Sequence, residues 1–200
     1  INNAAVVTPI NLLSIALLST QKQAMDERAL AKHLDFYLSF LRQVPYTDLV
    51  VVPDVSGADI IAYCERMDIL SRHKHPLGDV ISLSDDKALL MSYYRNNIIH
   101  LFALVSLVSC LVLNNRRIKR ETLIKQIRQL YVFFQSELFI HWHEKDIPDV
   151  VERSLALLVK HGYLIANESE VWAPDSRAKA CMQVSILARA AKHSLGRVWS

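Results

Sequence analysis

Sixteen residues, Ile98 to Leu113 (IIHLFALVSLVSCLVL), carry only His100, Ser106 and Ser109 as polar interruptions. A helix needs about 20 predominantly apolar residues to cross a bilayer, so this run is short for a span. Its flanks, Arg95 on one side and Arg116-Arg117 on the other, give no orientation bias. A segment of this length is more often a core helix, and that is the reading taken here. A helix that is apolar nearly all round has to be wrapped by the rest of the fold. The chain can do so: it has 200 residues, 52% of them hydrophobic and 22% charged, which excludes a disordered polymer.

The punctuation around the run predicts a mainly α protein. Thr8-Pro9 reads as an N-cap followed by proline at the first helical position. Asp26 caps a second helix, whose Leu30, Leu34, Tyr37, Leu38, Leu41 and Val44 hold a helical period up to Pro45. LVVV, before Pro53, reads as an extended connector or short strand, and Ser56 or Asp59 starts a helix through Met67. SRHKHPLGDVISLS predicts a loop, a turn at Pro76-Gly78 and a short strand near Asp79-Leu83. Ser84 then caps a helix from Asp85 to Leu113, with Asn114 and Asn115 ending it in a left-handed cap.

Past Ile118 two further helices are expected, roughly Arg120 to Phe134 and Pro148 to His161, with Gly162 as the stop. The apolar pieces YLI and VWA, separated by ANESE, signal a β-hairpin near 163–172. Two helices and a hairpin outline a winged-helix-like unit, and an Ala-rich helix is expected from Asp175 to about Ser194. The domain expectation is therefore a helical part over 1–114, holding the long buried helix at about 85–113, and a winged-helix-like part over 115–200.

Cys64, Cys110 and Cys181 are odd in number and form no CxxC, which fits a reducing compartment. Four glycines leave no phosphate-cradling loop, and a net charge of +3 announces no nucleic-acid partner. INNAAVV at the start and SLGRVWS at the end read as cuts through a longer polypeptide.

At 100° per residue, Tyr93, Asn96, Asn97 and His100 share one side of the long helix, above Leu104, Leu107 and Leu111. Polar groups at the edge of a core need hydrogen-bond partners. Either they form a network that docks the helix, or Tyr93, Arg95, Asn96, Asn97 and His100 face a neighbouring domain or a phosphate ligand.

Here the residues carry a resemblance. INNAA, QVPYTD, GDVISL, LMSYYRNNIIH and SELFIHWHEKDIPDV, in that order, resemble the C-terminal region of bacterial membrane-bound glycerol-3-phosphate acyltransferases. The resemblance covers about Ile1 to Ile165, with LMSYYRNNIIH as its most specific piece. It implies an enzyme moving an acyl chain from acyl-CoA or acyl carrier protein to the sn-1 hydroxyl of glycerol 3-phosphate, the first step of phospholipid synthesis. It also implies a place at the cytoplasmic face of a bacterial inner membrane. The family's catalytic His-x4-Asp and phosphate-binding motifs belong upstream of residue 1. The chain is therefore expected to be a non-catalytic portion that braces its own upstream catalytic domain, with no cofactor of its own.

His141 to Asp146 (HWHEKD) formally satisfies His-x4-Asp. A His base paired with an Asp could deprotonate an attacking hydroxyl. Eight histidines give on the order of 0.5 such matches by chance, and the position disagrees with the family, so no catalytic residue is assigned. His141, His143, Asp146 and Asp149 also cluster as metal ligands might, yet no distant Cys or His completes a set of four. No metal is assigned, and Asp146 or Asp149 is expected to serve the N-terminus of the next helix.

Arg116, Arg117, Lys119 and Arg120 place four cations in five positions. They read as a solvated turn helped by the preceding helix C-terminus, or as contacts to anionic lipid head groups. The rival function is a winged-helix nucleic-acid or protein-interaction module. Its recognition helix, VVERSLALLVKHG, offers only Glu152, Arg153 and Lys160 as charged residues, too few for a groove, so no nucleic acid is expected.

Overall fold

The computed structural model describes residues 4–174 apart from Gln21, Ser84, Phe139 and His141. Three expectations thus lie outside the described residues: the Ser84 cap, anything at His141, and the helix from Asp175. The described residues form six α-helices and two three-stranded antiparallel sheets, a mainly α protein with short strands. The chain divides into two compact units, and the division falls between Ile99 and His100.

The first unit opens with α1 (Pro9–Leu18), started by the Thr8–Asn11 capping box with Pro9 in its first turn. Asn11 to Leu17 are all buried, so α1 is the unit's central helix. β1 (Ala24–Asp26) leads into α2 (Glu27–Gln43), whose first turn is capped by the Asp26 carboxylate accepting from the Ala29 N–H. Leu30, Leu34, Phe36, Tyr37, Phe40 and Leu41 turn its apolar side inward. Ser56 and Asp59 form a second capping box at α3 (Gly57–Arg66).

Gly57, at the first position of α3, sits hard against α2. A Cβ there would lie 2.1 Å from the Ala31 carbonyl oxygen, and the Gly57 N–H donates to Asp35 Oδ1 at 2.6 Å. Only glycine allows that approach.

β2 (Leu70–His73) and β3 (Val80–Leu83) form a hairpin around the Pro76-Gly78 turn, and β1 adds to the other edge of β3. Pairing of Met25 and Arg72 with Ile81 sets the register. The sequence reading placed 71–73 in a loop and had no strand at 24–26. Both are strands because β3 supplies the pairing partner that their own polar sequence does not announce.

α4 (Asp85–Asn115) is the long helix, and it belongs to both units. In the first unit Asn11 Nδ2 donates to the Tyr94 carbonyl at 2.8 Å and the Ser14 hydroxyl lies 3.2 Å from Met91 Sδ. From Ile98 to Cys110 every residue is buried. By length and composition α4 could cross a membrane, but 78% of its most apolar window is covered within the fold. It ends later than expected. Asn114 and Asn115 are helical, with Asn115 Nδ2 donating back to the Leu111 carbonyl at 2.8 Å. The left-handed residue is Arg116, at φ 59°, whose carbonyl accepts from Ala173 N–H. The side-chain bond carries the helix two residues further, and strand pairing fixes where it must break.

The second unit continues with β4 (Arg117–Lys119), α5 (Arg120–Leu138), a 3-10 turn at Glu144–Asp146, α6 (Ile147–Lys160), β5 (Ile165–Ala166) and β6 (Glu170–Trp172). β6 lies between β4 and β5, giving the helix–strand–helix–helix–wing order of a winged helix. Leu123, Ile127, Tyr131, Val151, Leu155, Leu158, Tyr163 and Val171 are its buried centre. Gly162, at φ 72°, takes the left-handed step after α6. Asp146 occupies the N-cap position of α6 without a side-chain bond to the helix, while Asp149 stands in its first turn.

Candidate functional site

The first candidate surface is the N-terminal half of α4. Leu89, Leu90 and Tyr93 are 84%, 52% and 65% exposed, and Asn96 and Asn97 are exposed beside them. At 100° per residue these five positions form one stripe on the helix. Tyr93 stands edge-on to Tyr94 at 5.9 Å. Arg95 projects from the opposite side of the helix, half-buried, and its guanidinium reaches the Asn96 side-chain oxygen at 3.3 and 3.4 Å. His100, in the second unit, is buried. Tyr93, Asn96 and Asn97 are thus brought together on an outward face, and Arg95 is not on it. Leu89 and Leu90 were missed from sequence because a leucine pair inside a helical pattern reads as core. Their exposure is a property of the fold.

An outward stripe with two leucines and a tyrosine, ending in two amides, has the composition of a helix-packing surface. It contains no nucleophile beside a base and no converging cations.

The second candidate is the basic run, which the fold divides. Arg117 lies over the Trp172 ring at 4.5 Å and 3.8 Å from Glu170. Arg120 pairs with Glu152 and donates to the Asn167 carbonyl at 3.1 Å, closing the wing onto α5 and α6. Arg116 and Lys119 remain exposed. On α6, the outward Arg153 is paired with Asp149 at 2.9 Å, and the wing loop carries exposed Glu168.

In the His141–Asp149 segment, His143 and Glu144 are exposed and Asp146 is half-buried; Glu144 accepts from Arg128 at 2.6 Å. Among the described residues no three His, Cys, Asp or Glu side chains are placed to hold a metal ion. A shallow groove of about 540 Å³ beside α5 is lined by Glu121, Ile124, Lys125, Arg128, Gln129 and Glu144, a charge-balanced set.

The strongest electrostatic assembly was not anticipated. The Arg72 guanidinium donates to Glu27, Glu65 and Asp79 through five contacts of 2.7–3.0 Å. These bonds hold the Glu27 and Asp79 carboxyls below their usual range. Glu27 is separated from Arg72 by 45 positions, so no sequence spacing signals the pair. The assembly ties the ends of α2 and α3 to the hairpin.

Comparison with known proteins decides the family. Glycerol-3-phosphate acyltransferase, C-terminal region, matches residues 1–200. The chain belongs to this family. It is 40% identical over 199 residues to a glycerol-3-phosphate acyltransferase of Pseudomonas paraeruginosa. It is also 40% identical over 200 residues to that of Ectopseudomonas mendocina, and 39% identical over 199 to that of Pseudomonas syringae. In each case all of this chain is covered and 24% of the relative, so the chain spans about a quarter of their length. The resemblance carried by LMSYYRNNIIH is therefore a family relation. In this acyltransferase C-terminal region, LMSYYRNN supplies part of the outward stripe of α4.

Proposed function

We propose that this chain is the non-catalytic C-terminal portion of a glycerol-3-phosphate acyltransferase and that it braces the upstream part where acyl transfer takes place. The whole enzyme would move an acyl chain from acyl-CoA or acyl carrier protein to glycerol 3-phosphate at the cytoplasmic face of a bacterial inner membrane. The observation that carries the bracing role is the outward stripe Leu89, Leu90, Tyr93, Asn96 and Asn97. Exposed leucines on a helix that is otherwise packed are a contact surface awaiting its counterpart. His100 belongs to the same proposal as a buried support of that helix.

The test uses the full-length acyltransferase carrying Leu90→Glu with Tyr93→Ala. Acyl transfer to glycerol 3-phosphate should fall about 100-fold, the scale of a misplaced reacting geometry. Unchanged activity and melting temperature would overturn the bracing role. Acyl transfer by the 200-residue chain alone would overturn its non-catalytic character.

A second contact, to anionic lipid head groups, is supported by the exposure of Arg116 and Lys119. Arg116→Gln with Lys119→Gln should then weaken cosedimentation with phosphatidylglycerol vesicles, and equal binding would remove the lipid contact. The nucleic-acid alternative is disfavoured by the Asp149–Arg153 pair on α6 and by Glu168 on the wing.

A further inference from the structure

A separate surface of the first unit surrounds an isolated parallel bridge between Val6 and Val51. Val7 N–H donates to the Val51 carbonyl and Val51 N–H to the Ala5 carbonyl, both at 2.9 Å. Alternation along the strand turns Val7 inward, 3% exposed, and leaves Val6 67% exposed. Val51 is 59% exposed and Leu49, two residues before it, 62%. The unit thus covers one face of the pair and leaves Val6 and Val51 on the other, with Leu49 exposed in the turn that leads into Val51.

Parallel pairs are ordinarily covered on both faces, and two strands alone are not a stable sheet. The chain itself indicates what supplies the missing cover. Val6 is five residues from Ile1, and each residue reaches at most about 3.5 Å, so a polypeptide preceding Ile1 departs within roughly 18 Å of Val6. The relatives extend to about four times this length, and the matched family is their C-terminal region. A tethered segment acts at an effective concentration in the millimolar range and needs little area to dock. A free partner or a second copy would need about 800 Å² on each side, far more than three side chains provide.

We propose that Val6, Leu49 and Val51 dock against an apolar element of the polypeptide immediately upstream in the full-length acyltransferase, which covers the outer face of the parallel pair. The inference rests on the bracing reading and adds a second attachment face to it.

Full-length acyltransferase with Val51→Cys, and separately Val6→Cys, tests this by maleimide labelling under native conditions, with the unsubstituted protein subtracted. Glu168→Cys on the exposed wing is the reference. The thiols at 51 and 6 should react about tenfold more slowly than the reference or slower still, because a covered thiol reacts only when its interface opens. Reaction at the reference rate, in intact protein where a Leu90→Cys thiol on the α4 stripe is still protected, overturns this docking face and leaves the bracing role standing. Reaction of the Leu90→Cys thiol at the reference rate as well overturns the bracing role, and this inference with it. Protection that fades on dilution assigns the cover to a second copy and overturns the proposal.

Discussion

The two units use arginine in opposite ways. In the first, one guanidinium, Arg72, collects Glu27, Glu65 and Asp79 from three separate elements. In the second, Arg117, Arg120 and Arg128 each face a single carboxylate. The conspicuous cluster Arg116–Arg120 is thus dispersed into separate local roles, while an arginine lost among the polar residues of SRHKHP organises its unit. Crowding of charge in sequence measured neither burial nor partner number. A planar guanidinium satisfies several carboxylates at once, whereas exposed single pairs contribute little.

Tryptophan makes this contrast measurable, because the three tryptophans, Trp142, Trp172 and Trp199, all follow Ile99 in the sequence, and the two among the described residues lie in the second unit. Fluorescence follows that unit and far-UV circular dichroism follows both. The largest loss should come from Gly57→Ala, whose methyl would meet the Ala31 carbonyl at 2.1 Å. Urea unfolding should show about 3 kcal/mol, the upper range for overpacking, in the dichroism transition ahead of the fluorescence. Coincident transitions would erase the division into units.

Arg72→Met should cost about 2 kcal/mol, since charge-assisted bonds are lost and three carboxylates are left together. The same pair of probes separates it from a change in the second unit. A loss below 0.5 kcal/mol, roughly the range of an ordinary surface substitution, would show that the assembly is solvated rather than structural.

Acid should act on the first unit in the same sense. Burial keeps His33 neutral down to about pH 3, against an ordinary value of 6.5. The unfolded chain takes up that proton below 6.5 while the folded chain does not. Stability therefore falls by about 1.4 kcal/mol per pH unit from 6.5 towards 3. Glu27 and Asp79, lowered by Arg72, stabilise above their ordinary range and lose that contribution as pH drops through their folded values. Between pH 7 and 5 the His33 effect amounts to about 2 kcal/mol, read as an earlier dichroism midpoint. His33→Phe should flatten this slope, and an unchanged slope would assign the acid sensitivity elsewhere.

Arg120→Met should have the smallest effect, about 1 kcal/mol for one partly exposed pair and a carbonyl bond, this time in the fluorescence transition. An effect larger than that of Arg72→Met would reverse the contrast.

Local signals carried the helices. Thr8-Pro9, Asp26 and Ser56 with Asp59 are caps whose partners lie three residues away, and each caps the helix it announced. The apolar run of α4 and the turn residues Gly78 and Gly162 were legible for the same reason. β1, β2 and β4 were not, because AMD, LSRH and RIK are too short and polar to declare a strand without β3 or β6 beside them. The candidate surfaces followed the same rule. Helical geometry placed Tyr93, Asn96 and Asn97 on one side, but solvent exposure brought in Leu89 and Leu90 and set Arg95 apart.

By itself, then, the sequence determined the helical architecture and the family, through contacts reaching three or four residues along the chain and through LMSYYRNNIIH. Only the tertiary structure decided which charges are spent inside the fold and which apolar side chains it leaves outside. Those outcomes depend on residues that meet across 45 positions, as Glu27 and Arg72 do, and a local pattern has no means to encode such a meeting.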